Sequence, residues 1–274
     1  MSKAVEIIKS FLKNPDIKKI LIAEDHFDYT PKETLIELFD EIVEGVFSCH
    51  KKLVLVLEHI SIKDQVKIDE GVKKKEFSSE LEEVFKKCPF IEPKNLEINM
   101  YSELAKKAII SGVPIIATEN QATGYSSMIS STCINRVRTA NPVFEAVFED
   151  EIFSQEDVVG IFLGGAAHVI DMHPNSQLQY TPQSIMGLKS ALNEQGDTVS
   201  IFIYDEGGNH LNKNPHNKLP NIDLEEFYGS PNFDTTLCVK PAKKLLLTQK
   251  DGAQASKYSI ARDENQPPNL PFSW

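Results

Sequence analysis

Apolar and polar positions alternate in blocks along this chain. Val5, Ile8, Phe11 and Leu12 recur at helical spacing, and the pattern stops near Pro15, which cannot continue a helix. KKILIAE then has the apolar interior of a strand. From about Pro31, with proline acceptable in a first turn, Leu35, Leu38, Phe39, Ile42 and Val46 mark one face of a second helix. KKLVLVLEH predicts a second strand, apolar from Leu53 to Leu57, as when both faces are covered. The charged segment from Gly71 to Pro93 predicts a helix around Ser79 to Lys87. MYSELAKKAIISG predicts a helix stopped by Gly112, and VPIIATEN a third strand. Val137, Phe144, Val147 and Phe148 place one or two helices between Ser126 and Phe153, and DVVGIFLGG and DTVSIFIYDEGG complete the strands.

Strands separated by helical patterns need crossover connections, which parallel neighbours require. The fold expected is therefore α/β, with a mainly parallel central sheet flanked by helices. Beyond Gly208 the chain turns polar and rich in asparagine and proline. The division expected is a catalytic or ligand-binding core over 1–208 and an irregular extension over 209–274, packed on the core or partly disordered.

Composition narrows the function classes. Of 274 residues, 41% are hydrophobic and 25% charged, as in an ordinary globular chain. The formal charge of −11 disfavours nucleic acid or an anionic membrane as main partner, since both need a dense basic face. Cys49, Cys88, Cys133 and Cys238 are far apart and form no CxxC pair. MSKAVEIIKSFLKN interrupts with charge the apolar core that a secretory signal needs, and no stretch reaches the roughly 18 apolar residues of a membrane span. A cytoplasmic location is expected, with export by a signal-independent secretion system left open. HExxH, P-loop, GxGxxG and GxSxG motifs are absent.

The chemistry lies at the strand ends. The carboxyl tips of four successive strands carry Glu24, Asp25 and His26; Glu58 and His59; Glu119 and Asn120; and Gly164, Gly165 and His168. In a parallel sheet these tips share the edge where ligands bind. In FLGGAAHV, two glycines and two alanines let a ligand approach His168, as a general acid/base or a metal ligand. The alternative is that the small residues serve a tight turn and His168 packs in the core. Glu24 and His26 are two residues apart and on one side of an extended chain. Glu58 ends an apolar strand and needs a partner if buried. His59 is expected on the opposite face in a structural role, and Glu119 as a helix cap. Arg136 and Arg138, the clustered arginines, are ordinarily solvated in a helix; one of them reaching inward would hold Glu58 or a substrate anion. His173, His210 and His216 read as loop residues.

These tips resemble the superfamily that joins erythromycin esterases, ChaN-like haem-uptake proteins and the TIKI/TraB group. Its Gly-Glu-x-His is matched by AEDH at Ala23 to His26, its strand-end glutamate by Glu58, its Gly-x-x-His by Gly165 to His168, and an arginine before a helix by Arg138. The ordered set spans about residues 18 to 205; Ala23 replaces the first glycine, and the C-terminal third has no counterpart. The resemblance implies an α/β domain with Glu24, His26, Glu58 and His168 lining one pocket, and either hydrolysis, in some members metal-dependent, or haem binding.

The leading expectation is a hydrolase of an ester or peptide bond in a small-molecule or peptide substrate. His26 or His168 acts as base, Glu24 and Glu58 orient the histidines, and Arg138 stabilises an anion or holds Glu58. If a divalent metal such as zinc, manganese or iron is bound, His26, His168, Glu24 and Glu58 are its ligands. The alternatives are haem or iron-compound binding, with Tyr29 or Tyr125 as axial ligand, and an effector or toxin domain acting on a partner macromolecule.

Overall fold

A computed structural model describes residues 3–24, 30–86, 100–119, 133–171, 185–193, 196–205 and 233–239. Within them, helix α1 (Lys3–Lys13) leads into strand β1 (Lys19–Glu24), then α2 (Thr30–Ser48) and β2 (Lys52–Ser61). A 3₁₀ turn (Ile62–Asp64) opens α3 (Gln65–Lys74), followed by α4 (Ser79–Lys86), α5 (Met100–Ser111) and β3 (Ile115–Glu119). Next come α6 (Cys133–Phe148), the single turn α7 (Glu151–Ser154), β4 (Val158–Gly165) and the short α8 (Ala166–Val169). The last elements are α9 (Leu188–Leu192), β5 (Thr198–Asp205) and β6 (Thr235–Val239).

The six strands form one parallel sheet in the order β3-β2-β4-β1-β5-β6. The expected α/β class and parallel sheet are thus observed. β6 falls inside the segment expected to be irregular and adds a strand beside β5, pairing Ile201 with Thr235 through Asp205 with Val239.

Alternation along the strands sorts the core into two layers. Ile20, Ile22, Leu55 and Leu57 face the helices α1 to α5, whereas Leu21, Val54, Val56 and Phe162 face α6, α8 and α9. The first crossover leaves β1 over α2 on one face, and the crossover from β4 runs through α8 and α9 on the other. The neighbours β1 and β4 therefore send their connections to opposite faces and in opposite directions. In parallel sheets ligands bind beyond the carboxyl ends of strands that diverge in this way, and Glu24 lies at that position beside Gly165.

Candidate functional site

The site begins where β2 departs from a regular ladder. Its register against β3 shifts between Leu57 and Ser61, and His59 takes φ 71°, a left-handed backbone uncommon outside glycine. Two side chains replace the interrupted ladder. Thr118 Oγ1 donates to the Leu57 carbonyl at 3.0 Å, and the Tyr101 hydroxyl donates to the Glu58 carbonyl. Each satisfies a buried acceptor that would otherwise destabilise the strand end.

Glu58, 1% exposed, is held at both carboxylate oxygens. Oε2 accepts from the backbone N–H of Gly165 at 2.7 Å. A Cβ on Gly164 would lie 2.6 Å from that same oxygen and 2.4 Å from Phe162 Cζ, so the approach of β4 to the carboxylate requires glycine there. Oε1 lies 3.2 Å from His168 Nε2 and 3.3 Å from His59 Nε2. Two imidazoles thus meet one oxygen at the end of the sheet.

The far nitrogens of both rings are also engaged. His168 Nδ1 is 2.8 Å from Asn141 Oδ1. The Asn141 amide nitrogen donates to two carbonyls, those of His168 at 3.1 Å and Met186 at 3.0 Å. Its oxygen is therefore the acceptor, which assigns the hydrogen to His168 Nδ1 and leaves Nε2 to face Glu58. Phe144 meets the His168 ring edge-on, with centroids 5.1 Å apart. On the other side, His59 Nδ1 is 3.1 Å from Glu119 Oε1. The result is a continuous line, Glu119–His59–Glu58–His168–Asn141, joining β3, β2, the β4–α8 turn and α6.

The remaining expected residues lie elsewhere. Glu24 follows Ile20 and Ile22 toward the α2 face, where its Oε2 sits 2.8 Å from Lys32 Nζ in a pair with 0% and 1% side-chain exposure. Glu58 follows Val54 and Val56 toward the other face, so the structure pairs Glu58 with His168 and Glu24 with Lys32. Arg138 is exposed, one position off the buried stripe Val137, Ala140, Asn141 and Phe144, while Glu58 meets Gly165, His59 and His168. Arg136 is described in backbone alone, and His26, Asp25, Tyr29, Asn120, Tyr125, His173, His210 and His216 lie outside the described residues.

His59 and Glu119, expected in structural and capping roles, instead enter the network. The expectation placed His59 by simple alternation, which the bulge and its positive φ override. Asn141 and Lys32 had no expected part. Asn141 did carry a signal, as a polar residue at i+4 on a helical stripe shared with Val137 and Phe144.

Among the described residues no group of three or more His, Cys, Asp or Glu side chains is arranged to hold a metal ion. In the network, both oxygens of Glu58 and all four ring nitrogens of His59 and His168 already have protein partners. No helix of the described residues is long and apolar enough to cross a membrane.

No family model and no curated protein matches the chain. Among solved structures it is similar to the C-terminal region of Pasteurella multocida toxin, reported with a thiol-protease-like catalytic triad, at TM-score 0.51 and 9% identity over 89% of this chain and 28% of that one. It is also similar to RRSP, a MARTX toxin effector domain from Vibrio vulnificus (TM-score 0.47, 17% identity, 69% of this chain and 37% of that one). ChaN of Campylobacter jejuni, reported with cofacial haem, aligns at TM-score 0.44 and 13% identity over 74% of this chain and 86% of that one. The chain spans 36% to 39% of the length of three of the toxin structures it matches. At 9% identity and TM-score 0.51, the likeness to the C-terminal region of Pasteurella multocida toxin is one of fold alone.

Proposed function

We propose that the chain is a hydrolase whose general base is His168, oriented by Glu58 and Asn141. The observation that carries this reading is the 3.2 Å contact between His168 Nε2 and a Glu58 carboxylate fixed at its other oxygen by Gly165 N–H. The pair sits at the carboxyl end of a parallel sheet, next to the point where β1 and β4 send their connections to opposite faces.

The chemistry follows from the proton positions. In the closed pair the 3.2 Å contact between His168 Nε2 and Glu58 Oε1 holds a shared proton. In the base form that proton is gone, and a water stands between the two atoms in place of the direct contact. Nε2 of the neutral ring, its hydrogen on Nδ1, takes a proton from that water as it attacks. The imidazolium so formed lies against the Glu58 carboxylate, which stabilises it, and the same nitrogen returns the proton to the leaving group. Burial strengthens this electrostatic coupling, with Glu58 and His168 only 1% and 3% exposed. The bond cleaved is an ester or a peptide, and no step is routed through a metal.

The test is a panel of p-nitrophenyl esters and chromogenic peptides, read with wild type and Glu58→Gln. The amide keeps an oxygen for one contact and loses the carboxylate charge. Hydrolysis by wild type that falls about 100-fold or more in the variant supports the reading, this being the usual range for positioned acid–base groups. Equal rates in the two proteins contradict it.

A further inference from the structure

We propose that His59, held in place by Glu119, is a positioning residue that locks the Glu58 carboxylate against His168. The inference rests on the hydrolase reading for its purpose and on geometry for its content. A glutamate carboxylate turns about a terminal torsion that is broad and roughly two-fold, so it keeps one orientation only where partners fix both oxygens. Gly165 N–H fixes Oε2 at 2.7 Å. At Oε1 the His168 contact at 3.2 Å is the one to be controlled, and the second imidazole, His59 Nε2 at 3.3 Å, is what holds that oxygen from the β2 side.

Three features separate this role from ordinary packing. The backbone of His59 adopts φ 71°, a conformation that is strained in a non-glycine residue and persists where surroundings enforce it. The ring is buried, at 6% exposure, with a carboxylate at each nitrogen. Those carboxylates come from adjacent strands, Glu58 on β2 and Glu119 on β3, so Glu119 anchors the ring from a site independent of the β2 bulge.

The test reads the imidazole nitrogens of His168 by NMR in ¹⁵N-labelled protein. The variants are His59→Asn, which tolerates the left-handed backbone, His59→Gly, which removes the strain, Glu119→Ala and Glu119→Gln. The expected result is a shift of the His168 Nε2 resonance in both His59 variants, with Nδ1, held by Asn141, unmoved. Glu119→Ala shifts Nε2 in the same direction, and Glu119→Gln, which keeps an acceptor for His59 Nδ1, returns it. On the fastest ester of the panel, kcat falls about 100-fold in His59→Asn with KM unchanged, as for a misplaced catalytic group. A wild-type His168 spectrum in folded His59→Asn and His59→Gly overturns the proposal. Should those variants not fold, a wild-type spectrum in Glu119→Ala overturns it instead. If wild type hydrolyses nothing, the hydrolase reading fails and the His168 resonance alone decides the positioning role.

Discussion

The buried Glu24–Lys32 pair shows how a single residue can be misjudged from sequence. Lysine in the first turn of a helix opposes the helix dipole and is rarely fully buried. Lys32 nonetheless has no side-chain exposure and meets Glu24 at 2.8 Å. Glu24 was legible as a strand-end carboxylate, but its partner was not, because sequence spacing does not reveal which residue of α2 folds back over the tip of β1. We predict that Lys32→Met destabilises the protein by about 3–5 kcal/mol, by removing the ammonium 2.8 Å from the buried Glu24 carboxylate. Adding Glu24→Gln recovers most of that loss. Urea unfolding of the two variants measures both effects, and equal stability of Lys32→Met and wild type counts against the pair. The glycines of FLGG were legible as permitting close approach. Their specific use, admitting the Glu58 carboxylate where a Gly164 Cβ would clash, appears only in three dimensions.

At the scale of elements, strongly patterned segments were readable and weakly patterned ones were not. β2 from Leu53 to Leu57 and β4 from Val158 to Leu163 run without a polar side chain, and α2 has its buried stripe Leu35, Leu38, Phe39, Ile42 and Val46, so each falls where the pattern places it. α3 was missed because its buried positions are Ile68 and Gly71, too few to write an apolar stripe, while Val66 on the same helix is 69% exposed. β6 was missed because TTLCV is short and set in a polar stretch, and it forms by pairing with β5. The bulge ending β2 was invisible for a related reason, since side-chain donors from α5 and β3 stabilise it. Tyr101→Phe removes the donor to the Glu58 carbonyl with almost no change in shape. The expected cost is about 1–3 kcal/mol, the penalty for a buried acceptor left unsatisfied. It would show as a lower denaturation midpoint with an unchanged m-value. An unchanged midpoint would mean that the bulge does not depend on this hydroxyl.

At the scale of the whole molecule, strand order decides which tips can act together. The sequence showed that four successive tips carry ionisable groups; the order β3-β2-β4-β1-β5-β6 decides their neighbours. β2 lies between β3 and β4, which brings His59 to Glu119 on one side and Glu58 to Gly165 and His168 on the other. β1 lies beyond β4, and alternation turns Glu24 to the opposite layer. Of the residues expected to line one pocket, Glu58 and His168 meet in one buried cluster, Glu24 joins Lys32 on the other side of the sheet, and His26 lies outside the described residues. The cluster containing His168 has a second imidazole and an amide that fixes its tautomer. The central claim is that His168 is the base. The most direct measurement is kcat/KM of His168→Gln beside wild type on the fastest ester of the panel. The account predicts a fall of about 100- to 10,000-fold in a folded variant; a folded His168→Gln protein that hydrolyses the ester at the wild-type rate would contradict it.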